Sequence, residues 1–328
     1  MDKISIITPS LNQGEYLEQT IDSVLSQNYP DLEYIIIDGG STDQSGEIIK
    51  KYKKHLAHWV SEKDRGQSDA INKGLQRATG NIVNWLNADD YYEPGTLQTV
   101  ANQFNDDTVN VVCGRGKVIR DGQVVKISRG TDVYPNNLIK TIGWARIDQP
   151  ETFFRRRVLE KTGLLNFKLH YVMDKAWWIN YLLAFGLGGV RKLKDILVNF
   201  RLHEASKTVS QSEGFVRETD ALFLTLARQY DLLLETEGLS LLSDINHIED
   251  GEWQFVSDGN SHLVRQVLHY YMLHRVDEFY YQHQQKKAKI GLSYVDPKLL
   301  HTEEQALYQK LQWRCRWIPV PLVKLMRT

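Results

Sequence analysis

A chain of 328 residues with 42% hydrophobic and 25% charged residues has a soluble, globular composition, long enough for one large domain or two ordinary ones. Its formal net charge of −1 gives no electrostatic case for a nucleic-acid partner. No run of about 18 apolar residues occurs, so no membrane-spanning helix is expected, and Cys113 and Cys315 have neither metal-ligand spacing nor a secretory setting, which points to a reducing, cytoplasmic compartment without a structural disulfide.

The chain opens on the strand-like run Ile4-Ser5-Ile6-Ile7 without a signal-peptide pattern. Ile4 to Thr8 is predicted as a buried strand, and Leu17, Ile21, Val24 and Leu25 then recur at helical spacing. Tyr34 to Asp38 is the next strand. Ser41 or Thr42 is expected to cap the helix after it, with Ile48 and Ile49 facing the sheet. His58 to Ser61 is a short third strand, and Ser68 to Ala78 a helix with Gly80 at its C-terminal cap. Ile82 to Leu86 is a fourth strand, Leu97 to Phe104 a helix, and Val109 to Cys113 a strand. This alternation argues for an α/β fold with a mostly parallel central sheet flanked by helices.

Past Gly114 the pattern changes. Asp121-Gly122 between apolar-rich arms, Val118 to Ile127, signals a hairpin. Arg155 to Lys161 is predicted as a helix ended by Gly163, Ala176 to Phe185 as a strongly apolar helix, and Ile196 to Leu202 as a last strand. From about Glu213 the chain reads as mostly helical. The expected organisation is therefore a domain over 1–210 and a helical C-terminal region over 211–328.

In open parallel sheets, ligands bind beyond the carboxyl ends of the strands. Three polar clusters fall there: Thr8-Pro9-Ser10-Leu11-Asn12, Asp38-Gly39-Gly40-Ser41-Thr42-Asp43 and Asn87-Ala88-Asp89-Asp90. Asp89 and Asp90 repel as neighbours, and a divalent cation relieves that repulsion, as when Mg²⁺ or Mn²⁺ is shared between carboxylates and a diphosphate. The pair reads equally as a helix-start turn, because Glu93-Pro94 follows. Asp38 reads as an acceptor for a base N–H or a ribose hydroxyl, or as a turn acid. Neither a G-x-G-x-x-G fingerprint nor a P-loop is present, which argues against a dinucleotide enzyme or an NTPase. Asp174 lies among Tyr171, Val172, Met173, Trp177 and Trp178, where loss of water would make it a better base; it also suits a helix cap. His203 is a candidate for the metal or a phosphate, or an ordinary packed histidine. Arg65, in Asp64-Arg65-Gly66-Gln67-Ser68-Asp69, either reaches a phosphate or base or lies in a solvated loop.

In this order the clusters resemble the family 2 glycosyltransferases of GT-A fold. The matching text is Ile6-Ile7-Thr8-Pro9-Ser10-Leu11-Asn12, Ser23-Val24-Leu25-Ser26-Gln27, Ile37-Asp38-Gly39-Gly40-Ser41-Thr42-Asp43, Asp69-Ala70-Ile71-Asn72-Lys73-Gly74, Asn87-Ala88-Asp89-Asp90 and Met173-Asp174. It spans about residues 3 to 208. The resemblance implies an inverting transfer from a nucleoside-diphosphate sugar, UDP-linked by preference, to a saccharide or lipid-linked saccharide acceptor. It places Thr8, Pro9, Ser10, Asn12, Asp38 and Asp89 on the nucleotide sugar, and Arg65 and Asp69, from the stretch after the third strand, are expected to join them. It places Asp90, with Asp89 and His203, on a divalent metal, Mn²⁺ or Mg²⁺, and makes Asp174 the catalytic base. The family often has Asp where this chain has Asn87, and an acid where it has Met173. These departures imply a weaker metal site and a less polar acceptor pocket.

By order along the chain, Trp144 and Gln149 are expected on the acceptor side, Trp144 either stacking on a sugar or packed in a core. Residues 313–327 mix aromatic, apolar and basic side chains. They suit peripheral contact with the inner face of a membrane, or a docked terminus. Two other functions stay open: a sugar nucleotidyltransferase, disfavoured because Thr8 to Gly14 lacks a glycine-rich basic loop, and a non-catalytic carbohydrate-binding or scaffold protein, favoured by Asn87.

Overall fold

The computed structural model describes residues 2–144, 146–203, 206, 212–243, 254–256 and 260–317. The chain forms two compact units, one of residues 1–133 and 146–212, the other of 134–145 and 213–328. Residues 134–145, which sequence order alone puts in the first region, group with the helical unit.

The first unit is built on one sheet of strands β1 (Ile4–Ser10), β2 (Leu32–Asp38), β3 (His58–Ser61), β4 (Ile82–Trp85), β5 (Tyr91–Tyr92), β6 (Val111–Arg120), β7 (Gln123–Ile127), β8 (Thr152–Arg155) and β9 (Val190–Leu202). The order is β3-β2-β1-β4-β8-β6-β9-β5, with β7 paired to β6. The β3-β2-β1-β4 half is parallel. β1 and β2 are buried almost throughout, which explains why they read as apolar runs rather than alternating ones. The other half is mixed, because β8 runs antiparallel between β4 and β6 while β6 and β9 are parallel.

Register brings the strand ends to one edge. Ser10 pairs with Asp38, and Asp38 with Ser61. β4 ends against Ile7, and the Leu86 N–H donates to the Ile7 carbonyl at 2.9 Å, so the chain leaves toward Asp89-Asp90 beside the end of β1. β8 starts where β4 stops, so the Gln149-Pro150-Glu151 segment arrives at the same edge.

Helix α1 (Leu17–Leu25) buries Leu17, Ile21 and Val24 against the sheet. Each is worth roughly 1.5–3 kcal/mol of removed apolar surface. Thr20 shares that face, and its hydroxyl lies within hydrogen-bond distance of the carbonyls of Ala88 (2.8 Å) and Asp90 (2.7 Å), either of which can take its proton. The helix therefore fixes the backbone of the acidic pair as well as covering the core. Helices α2 (Ser45–Tyr52), α3 (Gln67–Arg77) and α4 (Thr96–Gln103) complete the first half of this unit.

Several sequence expectations are corrected. α2 starts at Ser45, so neither Ser41 nor Thr42 caps it; Asp43 Oδ1 instead accepts from the Ser45 N–H at 2.9 Å. Gly80 is not the cap of α3, which ends at Arg77 with Ala78 as its C-cap. It is glycine because a Cβ there would lie 2.7 Å from the Ser5 backbone nitrogen. The expected helix over 155–161 is β8 followed by α6 (Val158–Thr162), and Gly163 closes it with φ 71°. The Asp121-Gly122 hairpin forms as expected, with φ 51° and 75°, the signs a type I′ turn requires. α7 (Met173–Phe185) is longer than its apolar run and begins on Met173.

In the helical unit, α5 (Leu138–Trp144) joins α8 (Ser212–Gln229), α9 (Leu233–Leu242), α10 (Ser261–Tyr281), α11 (Gln285–Ser293) and α12 (Thr302–Trp317). Gly143 lets α5 close on α10, since a Cβ there would meet the Tyr270 ring at 2.7 Å. This contact is why 134–145 belongs with the later helices. No helix among the described residues is long and apolar enough to cross a membrane.

Candidate active site

The first two strand-end loops are stitched together. Asn12 takes the left-handed conformation, φ 52°, which a short polar side chain tolerates. Its Oδ1 accepts from the Thr42 N–H at 2.9 Å, and its own N–H donates to Ser41 Oγ at 2.8 Å. The Gly14 N–H donates to Asp43 Oδ2 at 2.8 Å. Asp38 is fully buried; its carboxylate accepts from the N–H groups of Gly40 (3.2 Å) and Ser41 (2.9 Å) and from the Ser41 and Ser61 hydroxyls. Three of these donors converge on Oδ2, while Oδ1 accepts, among the described residues, only the Ser41 hydroxyl and keeps a lone pair for a further donor. The buried Ser10 Oγ has no partner among the described residues, whereas Thr8 Oγ1 is 3.0 Å from the Tyr34 hydroxyl.

Asp89 and Asp90 leave β4 in a tight turn, with the Asp90 N–H donating to the Asn87 carbonyl at 3.1 Å. Asp90 is 1% exposed. Its Oδ1 accepts from the Arg201 backbone N–H at 3.0 Å, while Oδ2 is buried without a partner among the described residues. Burial, and after it the Asp89 charge, push the Asp90 carboxyl well above the usual range. Asp89 is half-buried, and its Oδ2 lies 3.1 Å from His203 Nε2. The His203 ring stacks on Tyr16 at 4.9 Å.

Arg201, a residue the sequence reading passes over, holds this corner. Its guanidinium donates to the Asp89 carbonyl (2.8 Å) and to Gln19 Oε1 (2.6 Å), and it lies 4.7 Å from the Tyr16 ring and 4.9 Å from the Tyr91 ring. The readable signal was the period-two row of Asn199 and Arg201 on β9 and His203 just past its end, facing Glu93 and Asp89.

The orphaned Asp90 Oδ2 is the observation that tests a metal. A buried, unbonded carboxylate oxygen beside a second carboxylate fits a divalent cation, which would offset both burial and repulsion. Among the described residues no group of three or more His, Cys, Asp or Glu forms a complete metal cage. A cation such as Mg²⁺ is ordinarily held by one or two carboxylates, with phosphate and water completing its shell.

Asp174 sits in the first turn of α7, and its Oδ1 accepts from the Lys175 N–H at 2.7 Å. The side chain keeps some exposure, yet enough protein surrounds it that loss of water dominates, pushing its carboxyl up to about 6. The neighbouring Asp148 charge adds to this. The Gln149 amide donates to Asn84 Oδ1 (2.7 Å) and to the Trp85 carbonyl (2.8 Å), so this end of Gln149 anchors its loop to β4. Arg65 is mostly exposed; it pairs with Asp69 at 2.7 Å and lies 4.1 Å from the Phe167 ring. That guanidinium holds the Asp69 carboxyl below its usual range.

The first unit thus collects Thr8, Pro9, Ser10, Asn12 and Asp38 in two joined loops, and Asp89, Asp90 and His203 at one corner. Trp144 belongs to the helical unit, where its ring is 5.1 Å from His274 and 6.1 Å from Tyr271. Of the basic tail at 313–327, residues 318–327 lie outside the described residues.

The family model described as glycosyl transferase family 2 matches residues 5–165. An uncharacterized glycosyltransferase of Nostoc sp., alr2836, is 30% identical over 225 residues, covering 65% of this chain and 68% of that protein. The uncharacterized glycosyltransferase YibD of Escherichia coli is 35% identical over 226 residues, 65% of each. Among solved structures, S. aureus TarS 1–349 in complex with UDP-GlcNAc superposes with a TM-score of 0.59 at 18% identity, covering 95% of this chain and 86% of that one. At that identity the likeness is one of fold.

Proposed function

This chain belongs to glycosyl transferase family 2 and is a glycosyltransferase of GT-A fold; from that premise we propose that it transfers a sugar, with inversion, from a UDP-sugar to a hydroxyl of a saccharide or lipid-linked saccharide, with Asp174 as general base. The observation that carries the reading is the Asp90 carboxylate, buried and half unpartnered at the carboxyl end of β4. The stitched loops at Asn12 and Asp38 lie at the adjacent strand ends, where an α/β sheet binds nucleotides. TarS, which shares the fold, is known in complexes with UDP and UDP-GlcNAc, and this supports the uridine donor.

Asp174 takes the proton of the acceptor hydroxyl as that oxygen bonds to the anomeric carbon. The bond from that carbon to the diphosphate oxygen breaks, and UDP leaves with the electron pair. A carboxyl at about 6 is ionised at neutral pH, yet basic enough for this task. The Arg201 guanidinium and the Thr20 hydroxyl hold the backbone of the acidic pair in place. Asp90, with Asp89 and His203 beside it, would hold Mn²⁺ or Mg²⁺, which when bound offsets the charge of the diphosphate. Asp38 and the Ser10 hydroxyl would meet the nucleoside, and Thr8, Pro9 and Asn12 shape that loop. Arg65 would exchange Asp69 for a phosphate. Gln149 supports the acceptor side through its loop. Trp313 is 55% exposed, and it and the basic residues after it support peripheral attachment to an anionic membrane. Flotation with anionic liposomes tests this, and no retained protein rules it out.

Calorimetric titration of UDP, GDP and dTDP sugars, with Mn²⁺ or with a chelator, tests the donor and metal assignments. The wild type should bind a UDP-sugar about tenfold or more tighter with metal, and Asp90→Ala should lose that difference. Equal binding with and without the chelator would sink the metal role.

A further inference from the structure

Glu151 is a buried carboxyl for which the reaction above has no use. It stands just before β8, at the edge where β4 ends, and its carbonyl accepts from the Gly114 N–H at 3.0 Å. The residue is 2% exposed, and its buried Oε1 has no partner among the described residues. Unsatisfied buried oxygens are uncommon, and a missing ligand is one of their ordinary causes.

The surroundings are built so that the carboxyl fits while its Oε1 is left without a partner among the described residues. Beneath it β6 carries Gly116, where a Cβ would lie 3.3 Å from Oε1 and 3.5 Å from Oε2. The β6–β9 register shifts on both sides of Arg115, so the strand is irregular at this point. Glycine within a strand often marks a bulge or the close approach of another group. The preceding segment is pinned: Arg146 pairs with Asp148 at 2.8 Å, the Ser128 hydroxyl bonds to Asp148, and the Thr152 hydroxyl donates to the Asp148 carbonyl at 2.8 Å. Burial, then the Asp148 charge, and in smaller part that of Asp90, push the Glu151 carboxyl well above its usual range. A neutral carboxyl both donates and accepts hydrogen bonds, as a sugar hydroxyl does.

Its position points to the sugar. Glu151 follows Gln149, whose amide is bonded to Asn84 Oδ1 (2.7 Å) and the Trp85 carbonyl (2.8 Å) at the end of β4, from which the chain turns into Asp89-Asp90; Asp148, just before it, acts on both Glu151 and Asp174. In the proposed reaction Asp90 marks the diphosphate end and Asp174 the acceptor end. What lies between these two ends is the ring of the transferred sugar. We propose that Glu151, in its berth over Gly116, binds a ring hydroxyl of the transferred sugar and determines which sugar the site accepts. This rests on the donor reading above.

The test measures affinity for free nucleotide and for the matching nucleotide sugars by calorimetry in Mn²⁺, in wild type, Glu151→Leu and Gly116→Ala. The probes are UDP, UDP-glucose, UDP-galactose and UDP-GlcNAc, with the GDP- and dTDP-glucose pairs alongside. The wild type should bind one nucleotide sugar more tightly than its nucleotide. Both variants should bind the nucleotide within about twofold of wild type and lose roughly tenfold or more of the sugar-dependent gain, the scale of one buried hydrogen bond to an ionisable group. Gly116→Ala leaves Glu151 itself in place, so its loss reports the berth. Equal sugar gain in all three proteins overturns the role of Glu151 while leaving the donor reading intact. A wild type that binds none of the probes overturns the donor reading, and this inference with it.

Discussion

If Asp174 is the base, the reaction should fail in acid at a pH fixed by its surroundings. An ordinary aspartate, near 3.8, is more than nine-tenths ionised at pH 5, so the rate would be flat from 5 upward. Burial lifts this carboxyl to about 6, against the opposing pull of the Lys175 N–H. The base form of a raised carboxyl is present above its pKa and lost below it. About nine-tenths is then ionised at pH 7, half at pH 6 and a tenth at pH 5. The kcat/KM should fall about tenfold for each unit below 6 and level off above 7. The assay is initial-rate transfer from a bound nucleotide sugar between pH 4.5 and 8, with nucleotide affinity measured at each pH to remove the acid limb of donor binding. Asp174→Glu should shift the midpoint, and Asp174→Asn should abolish transfer with nucleotide binding kept. A flat profile to pH 5 would refute the assignment.

Two further predictions concern the frame that holds the site. Burial alone would raise Glu33, but hydrogen bonds from Ser5 and Thr79 outweigh it and hold the carboxyl at about 2. A depressed carboxyl stabilises the fold fully above its ordinary 4.5 and loses that contribution as pH falls toward 2. Glu33→Gln should therefore lower the thermal midpoint at neutral pH and flatten its decline between pH 4.5 and 2; an unchanged acid profile contradicts this. Gly74→Ala places a methyl 2.4 Å from Ile7 Cγ2 in the core. The overpacking cost of ~1–3 kcal/mol should match or outweigh the helix gain of ~1 kcal/mol, lowering the melting temperature. A rise in melting temperature would show that β1 and α3 have room to move apart.

The parallel half of the sheet was legible because its strands are buried on both faces and end in polar clusters. Asp38, Asp89 and Asp90 stood out for that reason. β5 and β8 were not legible: they are two and four residues long, and β8 ends on Arg155. That arginine is buried because carbonyls of Phe104 and Val109, far back in sequence, accept its guanidinium. The crowding of donors on Asp38 Oδ2 was hidden too, since one of them, Ser61, comes from the neighbouring strand. Arg201 was harder to see because its period-two row with Asn199 and His203 gains meaning only when β9 lies beside the acidic turn. Glu151 looked like one more charged residue, and only its burial without a partner distinguishes it.

The central claim is inverting transfer from a nucleotide sugar with Asp174 as the base. Its most direct test is time-resolved proton NMR of the anomeric signal, with the donor the protein binds, in wild type and Asp174→Asn. The account predicts that an α-linked donor gives a β-configured sugar as the first product, at a rate that disappears in the variant. A first product of retained configuration, or turnover by Asp174→Asn at the wild-type rate, would contradict it.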